Sequence, residues 1–242
     1  MALSPLAFGV GAALGNLAGA LAVVRHARRG LVFIETCLAF GAGFMVSLVL
    51  VGVLPEVFVS SHGPTTAGLL VLAGYLGVHV AQHVITPHFH FGEETHEVSL
   101  AAGRSALVGL TLHAFFDGVA IASGFLVSWY LGVLFFLAVV AHKLPEGVTI
   151  ASLMLKAGGS RRSAVGAALI LGGATVLGVL LTELVAPLAE YGLALAAGVM
   201  LYVAASDLVP EFQARRGVRM TAAFLGGAAA LVALGWLGGA VL

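Results

Sequence analysis

The chain has 242 residues, of which 60% are hydrophobic and 9% charged, with equal numbers of acidic and basic side chains. A soluble domain carries about 25% charged residues, so a mean hydropathy of +1.10 excludes a chain that lives mainly in water. Zero net charge argues against nucleic acid as a partner. The single cysteine, Cys37, excludes an internal disulfide and a thiolate-rich metal cage.

Crossing the hydrocarbon of a lipid bilayer takes roughly 20 apolar residues in a helix. Breaking the chain at its polar and Gly/Pro clusters gives eight spans: 2–24, 32–59, 67–85, 105–126, 130–155, 164–184, 188–209 and 220–242. The predicted fold class is therefore an all-α integral membrane protein, one polytopic domain over residues 1–242. The first span lacks a basic leading region and a small-residue cleavage site, so it is expected to stay as a helix and not be removed as a signal peptide. Its Gly11, Gly15 and Gly19 recur every four residues, a stripe suited to close helix packing.

Glu56, near the end of the second span, and His62 read either as an outer entry funnel or, equally well, as a plain helix end. The third carries His79 and His83 one turn apart, followed by a loop at about 86–104 with His88, His90, Glu93, Glu94, His96 and Glu97. This His-rich segment reads either as a low-affinity receiving site for metal or as a plain solvated loop. Asp207 and Glu211, near the inner end of the seventh span, are candidates to line an exit.

The fourth and fifth spans hold the most informative residues, His113-Ala114-Phe115-Phe116-Asp117-Gly118 and His142-Lys143-Leu144-Pro145-Glu146-Gly147. Each puts an imidazole and a carboxylate four residues apart, on one helix face. Two imidazoles and two carboxylates suit zinc, iron, manganese or cadmium better than magnesium or calcium. Ionisable groups at membrane depth are expensive and mark a functional site by default. Simple pairing of His113 with Glu146 and of His142 with Asp117, serving only to hold the bundle together, is the alternative. Pro145 removes a backbone bond to the Ala141 carbonyl within the same stretch.

Ten of the eleven Lys and Arg residues fall in loops on one side of the membrane: Arg25, Arg28, Arg29, Arg104, Lys156, Arg161, Arg162, Arg215, Arg216 and Arg219. The positive-inside rule makes that side the cytoplasm and puts both termini outside it, with the cell membrane the expected location. The eleventh, Lys143, lies mid-helix. Uncompensated, its ammonium would cost about 3 kcal/mol there, so Asp117 and Glu146 are its expected partners.

Ala42, Gly43, Met45, Pro55 and Glu56 match Ala197, Gly198, Met200, Pro210 and Glu211 at a constant offset of 155. On the topology above these two helices run in opposite directions. Spans one to three would then repeat, inverted, as six to eight around a central pair, the pattern of secondary transporters. Chance similarity between two Ala/Gly-rich helices is the competing reading.

HAFFDG and HKLPEG on consecutive helices resemble the paired fourth- and fifth-helix motifs of the ZIP (Zrt/Irt-like) divalent metal transporters, most closely members with HAxxDG and HKxP forms. The AGFM at residues 42–45, the AAGVMLYV at 196–203, the DLVPE at 207–211 and the His-rich segment extend the resemblance over essentially the whole chain. It implies eight helices, import of zinc or a related divalent ion (Cd2+, Fe2+ or Mn2+) toward the cytoplasm, and a homodimer. The metal site it implies is His113, Asp117, His142 and Glu146, with Met45 as an additional ligand.

Three places depart from the commonest family pattern: Ala114 where many members have Asn, Lys143 where many have a carboxylate, and Ala186-Pro187, with Glu183 three residues earlier, where a Glu often precedes the proline. These positions serve the second metal of binuclear members. The expectation is therefore a mononuclear site in which Lys143 replaces the second ion. Transport by alternating access should weaken as pH falls through the histidine range, since the ligands bind deprotonated. An intramembrane metal-dependent hydrolase is the rival from another class, but no HExxH is present. A proton channel along the same groups would need no metal.

Overall fold

The computed structural model describes residues 4–25, 31–59, 63–81, 83, 100–210 and 218–237, and these form helices without a strand among them. In chain order they are α1 (Pro5–Arg25), α2 (Leu31–Ser47, continued through Leu48–Val53 and Leu54–Val59), α3 (Pro64–Val80), α4 (Leu100–Val127), α5 (Trp129–Lys156), α6 (Arg161–Leu184), α7 (Ala186–Tyr202, continued through Val203–Leu208) and α8 (Val218–Leu237). Seven are long and apolar enough to cross a membrane, while α3, at 17 residues, is shorter. The expected helix ends at Ala2, Ile85 and Leu242 lie outside the described residues. So do Arg28, Arg29, Arg215, Arg216, and loop residues 86–99 with their histidines and glutamates. The remainder of the expected loop, residues 100–104, is helical, so α4 begins five residues earlier than the polar pattern suggested.

Local chemistry sets the helix ends. Ser128 is extended, and its hydroxyl accepts from the Leu131 amide at 3.1 Å, capping α5 one residue after α4 stops. Ser160 caps α6 in the same way through Ser163 N–H. At the other end of α5, Gly158 takes φ +80°, and the amides of Gly158 and Gly159 return to the carbonyls of Leu155 and Met154. Glycine adopts that left-handed stop without strain.

Two helices contain a wide π-helical turn, Leu48–Val53 in α2 and Val203–Leu208 in α7. In each, the turn closes two residues before a proline, Pro55 or Pro210. A proline inside a helix lacks an amide proton, and its ring crowds the carbonyl four residues earlier. A wider preceding turn relieves that crowding and re-pairs the backbone, with Leu54 N–H reaching Val49 O and Val209 N–H reaching Ala204 O.

Helix pairs α1/α5, α4/α6, α1/α6 and α4/α5 pack most heavily in one group, and α2/α8 and α3/α7 in another, with α2/α5 and α4/α7 joining the groups. Glycines set the closest approaches. A Cβ on Gly19 would fall on the Leu144 carbonyl and one on Gly147 on the Asn16 carbonyl. Across the bundle, Gly178 meets Phe115 and Gly118 meets Thr175 in the same manner. The partners in α1 and α6 differ by 159 positions, and those in α4 and α5 by 29. A second set behaves likewise: Gly43 meets Phe224 and Gly198 meets Val71, while Gly227 meets Phe40 and Gly74 meets Leu195. There the offsets are 155 between α2 and α7 and 153 between α3 and α8.

The outward faces carry exposed Leu14, Leu69, Leu72, Val108, Leu169, Ile170 and Leu177. In water such a surface would aggregate; in lipid it is solvated. Near the α4–α5 turn, Phe8 packs on Phe125, Phe136 and Trp129 at ring separations of 4.7, 5.0 and 5.5 Å.

Gly118→Val and Gly147→Val are each expected to lower stability by about 1–3 kcal/mol or more, because the added carbons meet backbone that cannot move aside. Gly166, with nothing within 4 Å of its would-be Cβ, should tolerate alanine or gain stability. Unfolding of the purified protein in detergent checks both; equal behaviour of the three variants would contradict the packing argument.

Candidate metal centre

The tight α4–α5 turn brings the two motifs together. His113 lies 15 residues before Ser128 and His142 lies 14 after it. At about 1.5 Å rise per residue the two histidines sit at nearly one depth, roughly 21–22 Å from the turn. Gly118 and Gly147 then let α6 and α1 close over the pair.

Ligand atoms of His113, Asp117, His142 and Glu146 all lie within 4.8 Å of one another, and all four residues are buried. Asp117 Oδ2 is the centre of the cluster. His113 Nε2 and His142 Nε2 each stand 3.3 Å from it, and Lys143 Nζ donates to it at 2.7 Å. The same ammonium donates to Glu146 Oε2 at 2.7 Å. Lys143 thus takes the two partners its sequence position suggested. His113 pairs with Asp117 and not with Glu146, so the two-pair packing alternative has only its His142–Asp117 half.

His142 Nδ1 donates to the Ala138 carbonyl at 2.9 Å. That bond places the proton on Nδ1 and leaves Nε2 with its lone pair facing a carboxylate oxygen. Two lone-pair atoms in contact call for a cation or a proton between them. His113 Nδ1, Asp117 Oδ1 and Glu146 Oε1 are buried without a hydrogen-bond partner among the described residues, and such groups are costly to leave unsatisfied.

Charge counting limits what the cluster accepts. With the imidazoles in the neutral form that binds metal, two carboxylates and one ammonium leave a single formal negative charge. One dication inverts that to a single positive charge; two would bring it to three. At an effective dielectric of 20, a unit charge 4 Å from another costs or gains about 4 kcal/mol, and a dication about twice that. A second divalent ion beside Lys143 is therefore opposed by several kcal/mol.

Met45 is fully buried in the apolar core shared by α2, α4, α5 and α7. Ala114, at the position of α4 equivalent to Lys143 in α5, is buried and has no ligand atom. Glu183 is exposed at the end of α6, and Glu56 is exposed on α2. His62 and Glu211 lie outside the described residues, as do the side chains of Cys37, Arg104 and Asp207. Gly11, Gly15 and Gly19 face Phe136, Lys143 and Leu144 of α5, which makes the stripe a packing surface against the site helix. Asn16 escaped the sequence reading. It is fully buried against Gly147, and neither side-chain polar atom has a partner among the described residues. Its only signal was a single amide within an apolar span.

A bundle of long apolar helices enclosing a buried cluster of imidazoles and carboxylates defines a multi-pass membrane protein with a metal-type site. The family model described as ZIP Zinc transporter matches residues 93–235, more than half of the sequence, and the chain belongs to that family. Zinc transporter foi of Drosophila melanogaster is 32% identical over 121 residues, covering 49% of this chain and 17% of its own length. The Zinc transporter ZIP13 homolog of Drosophila melanogaster is 34% identical over 88 residues, 36% of this chain and 25% of its own. Zinc transporter ZIP6 of Homo sapiens is 32% identical over 136 residues, 52% of this chain and 18% of its own. The matches thus span a quarter or less of each of these relatives.

Replacing Lys143 by Met should destabilise the chelator-treated protein by about 3–5 kcal/mol, since it leaves two buried carboxylates without their counter-charge. Adding Glu146→Gln to that variant should recover much of the loss. Thermal unfolding in detergent checks the cycle, and full stability of Lys143→Met alone would show that the ammonium does not hold the cluster.

Proposed function

We propose that this chain moves a zinc-like divalent ion across the membrane toward the cytoplasm by alternating access, one ion at a time. His113, Asp117, His142 and Glu146 are the proposed ligands, Met45 an additional one, and Lys143 a tethered charge in place of a second metal. The observation that carries this reading is the meeting of four ligand atoms within 4.8 Å, buried between two helices of an apolar bundle. The relatives' names point to zinc, and the donor set also admits Cd2+, Fe2+ and Mn2+.

The reading assigns each ligand a task. The carboxylates replace the hydration shell's compensation of a double charge in a medium of low dielectric. The imidazoles select a borderline-soft ion over magnesium or calcium. Lys143 releases Asp117 and Glu146 in part as the ion arrives and takes them back as it leaves. The central carboxylates then never stand without a cation in the bundle interior.

The site lies within the α1/α4/α5/α6 group, and the proposed motion is of this group against α2, α3, α7 and α8. An inverted repeat of α1–α3 and α6–α8 around α4 and α5 supplies the symmetry such a motion uses. Paired glycine contacts at constant offsets, and π turns at Leu48–Val53 and Val203–Leu208, 155 positions apart, support the repeat. Both termini outside the cytoplasm, a homodimeric assembly and the cell membrane as location complete the proposal.

Protein reconstituted into liposomes is expected to take up zinc, and His113→Ala and Glu146→Ala should each lose at least about tenfold of that flux, the order expected when a buried charge-assisted ligand is removed. Unchanged uptake in both variants would sink the assignment. Metal analysis should find one tightly held ion per chain; two ions, both lost on changing the α5 motif, would refute the mononuclear site.

A further inference from the structure

We propose that His79 and His83 form a second divalent-metal site at the far end of α3, separate from the buried cluster. His79 lies 15 residues from Pro64, the first residue of α3, which at about 1.5 Å per residue places it roughly 22 Å along the helix. The backbone remains helical at Ala81 and His83, and both histidines are exposed. Two imidazoles one turn apart on a helix face form a two-point chelate for zinc-type ions.

Three further observations make this more than an incidental pair. The rings are stacked, with centroids 4.1 Å apart and planes 28° from parallel, so both are already aligned on one side of the helix. His83 Nδ1 donates to the His79 carbonyl at 2.9 Å. This is the arrangement of His142 and Ala138 in the buried cluster, with the same spacing and distance, and it puts the lone pair on Nε2. The Tyr202 hydroxyl lies 3.5 Å from the same Nδ1, and the Tyr202 ring stands edge-on to His79 at 5.9 Å. Tyr202 also packs edge-on to Tyr75, whose hydroxyl is 3.2 Å from Ser206 Oγ in the π turn of α7. The pair is thereby held against a second helix, and less rotamer freedom is lost when an ion binds.

The inference stands on this geometry and not on the transport reading. Zinc titration of the full chain in detergent tests it, with His79→Gln, His83→Gln, the double variant, and a loop variant carrying His88→Gln, His90→Gln and His96→Gln. The unaltered protein and the loop variant should each bind one more zinc equivalent than the double variant. Either single change should weaken that equivalent tenfold or more. An equal count in the double variant would overturn the proposal, as would loss of the extra equivalent in the loop variant. The comparison is a difference in count, so it is unaffected by whether the buried cluster holds zinc.

Discussion

The structure depends on one interaction, the ammonium of Lys143 set 2.7 Å from both Asp117 and Glu146 in the middle of an apolar helix bundle. None of these three charges is stable there alone, since each would face hydrocarbon or close-packed helices in place of water. Together they leave one formal negative charge, shared with two imidazoles. That residual charge makes the cluster attractive to a dication, and the resident ammonium makes it hostile to a second one.

The rest of the fold serves that cluster. A single residue, Ser128, separates α4 from α5, so the two motifs come to one depth without any loop to position them. Gly118 and Gly147 stand one residue beyond the two carboxylates. At each, the backbone of a neighbouring helix occupies the space of a missing side chain, Thr175 of α6 or Asn16 of α1. The site is therefore enclosed by main chain, which is rigid, and lipid is kept away from it. The two members of this arrangement are not chemically equivalent. Thr175 donates its hydroxyl to the Leu171 carbonyl, while the Asn16 amide is left without a partner among the described residues. The α4 and α5 positions likewise differ, Ala114 against Lys143. Matching glycine contacts thus frame unlike polar groups, and on the proposed mononuclear reading that difference limits the charge of the bound ion.

Much of this was legible in the sequence because membrane helices leave few polar residues to interpret. His and carboxylate at four-residue spacing place themselves on one face, and an isolated mid-helix lysine demands partners. The hidden parts depend on backbone geometry. Nothing in the residue pattern of 48–53 or 203–208 announces a π turn; Pro55 and Pro210 mark a disturbance without saying whether it is a kink, a break or a wider turn. The start of α4 at Leu100 was missed because Arg104 reads as a loop residue, although the helix runs past it. The stacking of His79 on His83 was also out of reach, since spacing puts two rings on one face but does not orient them.

X-ray absorption by zinc bound at one equivalent tests the central claim most directly. A single ion held by the His113, Asp117, His142 and Glu146 set predicts a first shell dominated by nitrogen and oxygen at about 2.0–2.2 Å. It also predicts outer-shell scattering from two imidazoles and no neighbouring metal, with a sulfur scatterer added if Met45 joins the shell. A zinc–zinc vector at about 3.5–4 Å, the spacing of two-metal sites, would contradict the account. So would an imidazole signal that persists unchanged when His113 and His142 are both replaced by alanine in a chain already carrying His79→Gln and His83→Gln.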